Sequence, residues 1–178
     1  ELGAGMLAFA LTWVGSGYGP QIASLVLTLT IAPSVLFGLL GGATADRFGA
    51  HRMMILGTCG LGLISGLLAM AVVVWGSPPG LLFAAAALIG TVSAFYRPAV
   101  GVFPRLFVDD DVLGAAMARV GVAAQLARTA APPLRGLIIG LVPLSGVAAI
   151  DVVGCVAMLV VLVLVRPPRA QALAAEAM

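Results

Sequence analysis

The sequence predicts an all-α membrane protein, built as a six-helix transmembrane bundle, and three observations support this prediction. Of the 178 residues, 62% are hydrophobic and only 9% are charged, whereas about a quarter of the residues of a soluble domain are charged. The mean hydropathy is +1.18. Residues 2–45 and 53–96 contain no charged side chain, and each stretch is 44 residues long. Each is therefore long enough for two membrane-spanning helices of about 20 residues.

Turn-forming residues divide each apolar stretch into a pair of segments. The first stretch is interrupted by GSGYGP at 15–20 and the second by GSPPG at 76–80, as in two helices joined by a short uncharged turn. The six predicted segments are 2–14, 22–40, 53–75, 81–96, 113–142 and 147–165. The first has only 13 residues and opens on Glu1, too few to cross a core of about 30 Å. We therefore expect a truncated first helix.

The arginines predict the orientation of the bundle. Outside the fifth segment they fall in the second–third connection, in the fourth–fifth connection and after the sixth segment: Arg47, Arg52, Arg97, Arg105, Arg166 and Arg169. Arginine-bearing loops lie on the cytoplasmic side. We expect a multi-pass protein of the plasma (bacterial inner) membrane, in contact with lipid, with both ends of the six-helix unit in the cytoplasm.

Several classes of function find no support in the composition. Cys59 and Cys155 lie inside apolar segments, where cysteine behaves as a small hydrophobe, so neither a disulfide nor a metal site is expected. His51 is the only histidine, and the net charge of +2 is too small to predict nucleic-acid binding. No residue pattern typical of a catalytic centre occurs. We expect a protein that is not an enzyme and that needs no cofactor.

The connection between the second and third segments contains the most specific motif. Its spacing is G-x-x-x-D-R-x-G-x-x-R, formed by Gly42, Asp46, Arg47, Gly49 and Arg52. Gly41 and Gly42 are expected to end the second helix and to allow close backbone approach. Gly49 is expected to permit the reversal, and Arg52 to begin the next helix. From residue types alone, an ordinary positively charged turn explains the connection equally well.

This spacing resembles the signature loop of the major facilitator superfamily. The resemblance implies that residues 1–165 form the N-terminal half of a twelve-helix secondary transporter and that residues 166–178 begin a cytoplasmic linker. It also implies that the motif is a cytoplasmic latch between two six-helix halves, controlling alternating access. Ala50 stands where the family usually has a basic residue, so one positive contact of the latch is not expected.

The fourth–fifth connection resembles that of one branch of the family. The stretches AFYRPA at 94–99, PRL at 104–106 and DDDVLGAA at 109–116 are similar to drug and siderophore exporters of the macrolide-efflux and enterobactin-exporter types. The resemblance implies an efflux permease for an amphipathic organic molecule, such as a drug or a siderophore. Asp109, Asp110 and Asp111 are expected to favour the N-terminus of the fifth helix.

The fifth segment contains polar residues that point to a site. At 100° per residue Gln125, Arg128 and Arg135 share one helix face, and two arginines in a membrane helix are expected to face a cavity or another helix. They are candidates for contacts with a small-molecule substrate, although a structural role fits them equally well. Pro132 and Pro133 are predicted to kink the helix. The stretch 131–136 resembles in part the G-P-x-x-G-G element associated with antiport.

Asp151 is a carboxylate within the sixth segment. On consecutive antiparallel helices it would lie at a depth similar to that of Arg135, so we expect an Arg135–Asp151 ion pair; separate contacts with lipid headgroups are the alternative. If this half holds the proton site of an antiporter, Asp151 or Asp46 would carry the proton.

Two readings of the whole chain remain open at this level. In the first, the chain is a transporter half whose partner is a C-terminal six-helix half or a second copy of the chain. In the second, it is a non-transporting membrane protein or an inactive fragment that lacks the second half. Alternating access needs two halves around a central site, so the presence or absence of a second half decides between the two interpretations.

Overall fold

A computed structural model of the chain describes residues 2–102 and 110–164. Six helices make up this part: α1 (Leu2–Ser16), α2 (Pro20–Phe48), α3 (Ala50–Trp75), α4 (Pro79–Val102), α5 (Asp110–Leu141) and α6 (Leu144–Leu164). Arg105, Asp109, Arg166, Arg169 and the predicted linker 166–178 lie outside the described residues. The side chains of Asp46, Asp110, Asp111, Arg128, Pro132 and Arg135 also lie outside the described part, although their backbones belong to α2 and α5.

The helices confirm the predicted all-α membrane fold. Four ranges are long and apolar enough to cross a membrane: Pro20–Gly38, Ala50–Trp75, Pro79–Gly101 and Leu144–Leu164. The range Gly5–Ser16 is a shorter apolar helix. Helix α5 has 32 residues, which at about 1.5 Å per residue also exceeds the thickness of the hydrocarbon core.

Two helices continue beyond their predicted ends, which corrects the expected boundaries. Gly41 and Gly42 do not end α2, since the helix runs through both and through Asp46 and Arg47 to Phe48. In the same way α4 continues past Tyr96 and includes Arg97 within the helix. Hydropathy marks where a helix leaves the hydrocarbon, but the backbone hydrogen bonds of a helix persist in the headgroup region and beyond.

The helices pack in a closed order, α1–α2–α4–α3–α6 and back to α1, and the closest pairs are α2 with α4 and α3 with α6. Helix α1 also touches α4 and α5. The largest fully buried apolar side chains lie where these helices meet: Leu7, Leu11, Val26, Met54, Leu82, Ile89, Val147 and Leu162. Helix α5 makes few contacts with α6 in the described residues, so α6 is positioned mainly by α3.

Glycines allow α2 and α4 to approach closely. A Cβ atom on Gly90 would lie 2.6 Å from the carbonyl oxygen of Thr30, and a Cβ on Gly41 would collide with the carbonyl of Ala94. Ser34 Oγ donates a hydrogen bond to the carbonyl oxygen of Gly90, 3.3 Å away. The expectation of close backbone approach is therefore confirmed for Gly41, even though it does not end the helix, and is wrong for Gly42, where a Cβ would meet no described atom within 4 Å.

Candidate functional site

The motif between the second and third segments forms a helix end, a one-residue reversal and a helix start. Helix α2 ends at Phe48, Gly49 adopts φ 85° and ψ 134°, and α3 begins at Ala50 with Arg52 in its first turn. This positive φ favours glycine because it has no Cβ, so the predicted role of Gly49 in the reversal is confirmed. Arg47 and Arg52 are both exposed. The structure therefore presents two cations at one end of the helix pair.

His51 ties this motif to the end of α6, a contact that the sequence reasoning missed. Its Nε2 lies 2.9 Å from the carbonyl oxygen of Leu162. A carbonyl only accepts, so Nε2 carries the hydrogen in this contact. The contact joins the first turn of α3 to the last described turn of α6. Nothing in the spacing of the sequence indicated that these two residues would meet.

The predicted polar residues of α5 lie on a helix whose described residues are exposed on several sides, Val122 and Leu126 among them. One of these sides, the open α5 face, consists of exposed residues spaced three or four apart through its length: Gly114, Ala118, Gly121, Gln125, Thr129, Pro133, Gly136 and Gly140. Thr129 Oγ1 donates to the carbonyl oxygen of Gln125, 3.0 Å away. The shared face of Gln125, Arg128 and Arg135 stays a prediction, because the two arginine side chains lie outside the described part.

The proline pair of α5 lies within a helix that continues on both sides. Helix α5 runs unbroken from Asp110 to Leu141 and so passes through Pro132 and Pro133. Two consecutive prolines cannot donate to the carbonyls one turn earlier, which favours a bend at this level. The kink itself stays a prediction.

Asp151, on α6, is buried against α3. The residue is 4% exposed, and its Oδ2 accepts a hydrogen bond from Ser65 Oγ, 2.5 Å away; Ser65 is completely buried. Sequence reasoning missed Ser65, which is 86 residues away in the chain. Gly62 and Gly66 flank it on α3, a small-residue pattern that indicates close helix packing. The expected Arg135–Asp151 pair stays a prediction, and in the described part the buried partner of Asp151 is Ser65.

Comparison with known proteins gives a partial match by sequence and none by structure. No solved structure matches the chain at a significant level. A protein of Planococcus maritimus named Na(+), Li(+), K(+)/H(+) antiporter is 33% identical over 91 residues, which are 51% of this chain and 22% of that relative. The chain thus matches only about a fifth of the relative's length.

The family comparison covers far more of the chain. The family model of the Major Facilitator Superfamily matches residues 1–177, which include all six helices, the α2–α3 motif and Asp151. The protein therefore belongs to the Major Facilitator Superfamily, a family of membrane transporters.

Proposed function

We propose that the chain is one six-helix half of a secondary-active efflux permease that exports an amphipathic organic molecule, such as a drug or a siderophore, by alternating access. The exchange partner in this proposal is the proton. The second half is a C-terminal six-helix unit, or a second copy of this chain. The observation that carries the proposal is the environment of Gln125 on α5.

Gln125 is a polar side chain that the described bundle leaves open. It is exposed, and its amide group makes no hydrogen bond to any group that the structure describes. An amide that faces hydrocarbon without a partner costs several kcal/mol, on the order of 2–7. Contact of this face of α5 with lipid is therefore unfavourable. A water-filled cavity, a polar ligand or a second helix bundle satisfies the amide instead.

Exposed hydroxyl groups on the bundle cost less free energy in lipid than this amide does. Thr129 donates to its own helix, and so does Thr28 on α2, whose hydroxyl lies 2.8 Å from the carbonyl oxygen of Ser24. Such a hydroxyl tolerates lipid because its donor is already satisfied. Gln125 is therefore more informative than these exposed hydroxyls, and Thr129 provides a natural control.

The small residues of the open α5 face support docking of a second half. Gly114, Gly121, Gly136 and Gly140 would each accept a Cβ with no atom within 4 Å. Glycine and alanine on a membrane helix let another helix approach closely. We propose that this face meets the second half and, with α1 and α4, borders the transport cavity. Arg128 and Arg135 would then contact an anionic or carbonyl-rich substrate.

The α2–α3 motif would lie at the cytoplasmic end of this cavity. With Arg47 and Arg52 exposed there, the positive-inside rule supports a cytoplasmic location, in the plasma membrane of a bacterium. Gly42, Asp46 and Gly49 would complete the latch with the second half. Because Ala50 replaces a basic residue, the latch of this protein relies on the two arginines.

A second candidate function is exchange of monovalent cations for protons. It rests on the relative of 33% identity, which is named as a Na(+), Li(+), K(+)/H(+) antiporter. In that case Asp151 and Asp46 are the carboxylates through which the cation and the proton would compete. The third reading, a non-transporting membrane protein or an inactive fragment, predicts no flux of either kind.

Reconstitution into liposomes separates these functions. The protein, in the longest form that its gene encodes, is exposed to an imposed pH gradient with a panel of amphipathic drugs and siderophores, or with Na⁺, Li⁺ or K⁺ alone. Efflux driven by the gradient supports the organic-molecule permease. Collapse of the gradient by a monovalent cation alone supports cation exchange, and the absence of both from correctly inserted protein contradicts transport.

The variant Gln125→Leu tests the site itself. Loss of one hydrogen bond of about 1–1.5 kcal/mol weakens substrate interaction roughly tenfold, so we expect an apparent KM about ten times higher. Thr129→Val, on the same face, removes only a hydroxyl that its own helix satisfies and should leave KM within about twofold. Equal effects of the two variants would contradict a role for Gln125 in the cavity.

A further inference from the structure

The hydroxyl of Ser65 behaves unlike most hydroxyls in the described helices. Thr12, Thr28, Thr30, Thr58, Thr91 and Thr129 each donate to the carbonyl four residues earlier in their own helix. Ser65 Oγ instead donates to a side chain of α6, and the acceptor, Oδ2 of Asp151, is 2.5 Å away. A distance in this range is typical of an O–H···O bond to a charged acceptor, or of two oxygens that share a proton.

The pair lies deep within the helix bundle. Ser65 is ten residues before the end of α3, and Asp151 is seven residues after the start of α6, so these oxygens lie about 15 Å and about 10 Å from the two helix ends. Val147 and Ala148, on the preceding turn of α6, are buried. Asp151 therefore has an apolar neighbourhood and one close polar neighbour on another helix.

Glycines on α3 allow α6 to pack closely around this pair. A Cβ on Gly62 would lie 3.2 Å from the Cβ of Cys155, and a Cβ on Gly66 would lie 3.8 Å from a methyl carbon of Val152. The two glycines flank Ser65, and Cys155 and Val152 follow Asp151 on α6. The helices are therefore in contact around the pair, and they leave little room for water.

If Asp151 were ionised, no described side chain would neutralise its negative charge. No cationic side chain with a described position contacts Asp151, and its Oδ1 has no donor among the described residues. One titratable group near it is the thiol of Cys155 on α6, and the described range of α1 contributes no charged side chain. On α5, Arg119 is exposed, and the side chains of Arg128 and Arg135 lie outside the described part. An unpaired carboxylate at this depth is costly.

We propose that Ser65 and Asp151 form an intramembrane proton-binding site at the α3–α6 contact, with the proton bound in the closed arrangement seen here. The inference deepens the proposed function, on which its role in coupling rests. In the structure Ser65 Oγ donates to Oδ2 of Asp151, and in the protonated state the proton is on Oδ1, which has no donor among the described residues. When the proton leaves to water, the same hydroxyl continues to donate to the carboxylate.

A proton fits this site better than a metal cation. A hard cation such as calcium takes about six to eight oxygen ligands, whereas the described groups here supply the two carboxyl oxygens and one hydroxyl. A proton needs only one donor and one acceptor. Release of the proton would require α3 and α6 to separate so that water can reach Asp151. The site thus links protonation to the packing of two particular helices.

Infrared difference spectroscopy of the reconstituted chain tests the site without requiring transport. At neutral pH, where water-exposed carboxyls are ionised, we expect a carboxylic-acid C=O band that is lost in Asp151→Asn. In Ser65→Ala the band should move to higher wavenumber, because the acid loses its hydrogen-bond partner. Thr58→Val, which removes a buried hydroxyl from the same helix without touching Asp151, should leave the band in place.

Two results would overturn the proposal. One is a wild-type protein with no acid band assignable to Asp151, which would make Asp151 an ionised residue. The other is a charge exchange, Arg135→Asp with Asp151→Arg, that restores the expression lost in either single variant, because an ion pair would then explain both residues. Failure of the proposed transport would appear separately, as an intact acid band in a protein that moves no substrate.

Discussion

Replacing Gly90 with alanine tests the close packing of α2 against α4. In the folded protein the new Cβ would lie 2.6 Å from the carbonyl oxygen of Thr30 and 2.8 Å from that of Leu29. Ordinary contact begins near 3.4 Å, so α2 and α4 must separate by about 0.8 Å at this level. Both neighbours are backbone atoms within a helix, which cannot swing aside as the end of a long side chain can.

The size of the effect follows from this geometry. Overpacking of a tight interior typically costs about 1–3 kcal/mol, and backbone neighbours favour the upper part of that range. Alanine recovers up to about 1 kcal/mol through its higher helix propensity. The hydrogen bond from Ser34 to the Gly90 carbonyl, already 3.3 Å long, would lengthen further. We expect Gly90→Ala to lower the free energy of unfolding by about 1–2 kcal/mol.

Gly154→Ala is the matched control. Gly154 is exposed in the middle of α6, and a Cβ there would meet no atom within 4 Å, so the change should be neutral or stabilise by up to about 1 kcal/mol. Titration of the two variants with SDS in mixed micelles, followed by circular dichroism, measures the difference. If both unfold at the same SDS fraction, α2 and α4 are not in the close contact described above.

Three further changes test local features of the fold. Gly49→Ala should destabilise the α2–α3 reversal by about 1–3 kcal/mol, because φ is 85° there; an unchanged unfolding curve would contradict this backbone conformation. His51→Ala removes the hydrogen bond to the Leu162 carbonyl, worth about 1 kcal/mol. Hydrogen exchange should then quicken in the last turn of α6, and equal rates in wild type and variant would argue against the contact. Phe37 and Phe95 stack with ring centroids 6.3 Å apart, so a double-mutant cycle to leucine should give a coupling of about 0.5–1.5 kcal/mol; additive effects would refute the pairing.

The helices were largely predictable, and their ends were not. The uncharged stretches 2–45 and 53–96 indicated paired membrane helices, since only apolar helices persist in hydrocarbon. The extension of α2 to Phe48 and of α4 to Val102 was not visible in hydropathy. Beyond the hydrocarbon, polar residues such as Arg47 and Arg97 are as compatible with a helix as with a loop. The positive φ of Gly49, by contrast, was foreseeable from the need for a sharp reversal.

The candidate site, too, was only partly predictable from the sequence. Gln125 and Asp151 were identifiable from sequence, because polar residues in apolar helices are rare and costly. Their partners were not. Ser65 and Asp151 are 86 residues apart in the chain, and His51 and Leu162 are 111 apart. No local pattern specifies which helix lies beside which, and α6 was expected to find its partner on α5.

The sequence by itself determined that this protein is a bundle of membrane helices, where its short turns lie, and which residues are polar within the membrane. Hydropathy, charge placement and turn chemistry are local properties, and they depend only on neighbouring residues. The tertiary structure alone decided that α6 packs on α3, that α2 packs on α4, and that Asp151 meets Ser65. Those choices depend on where glycines let two backbones approach, and such a surface exists only after the helices have formed and met.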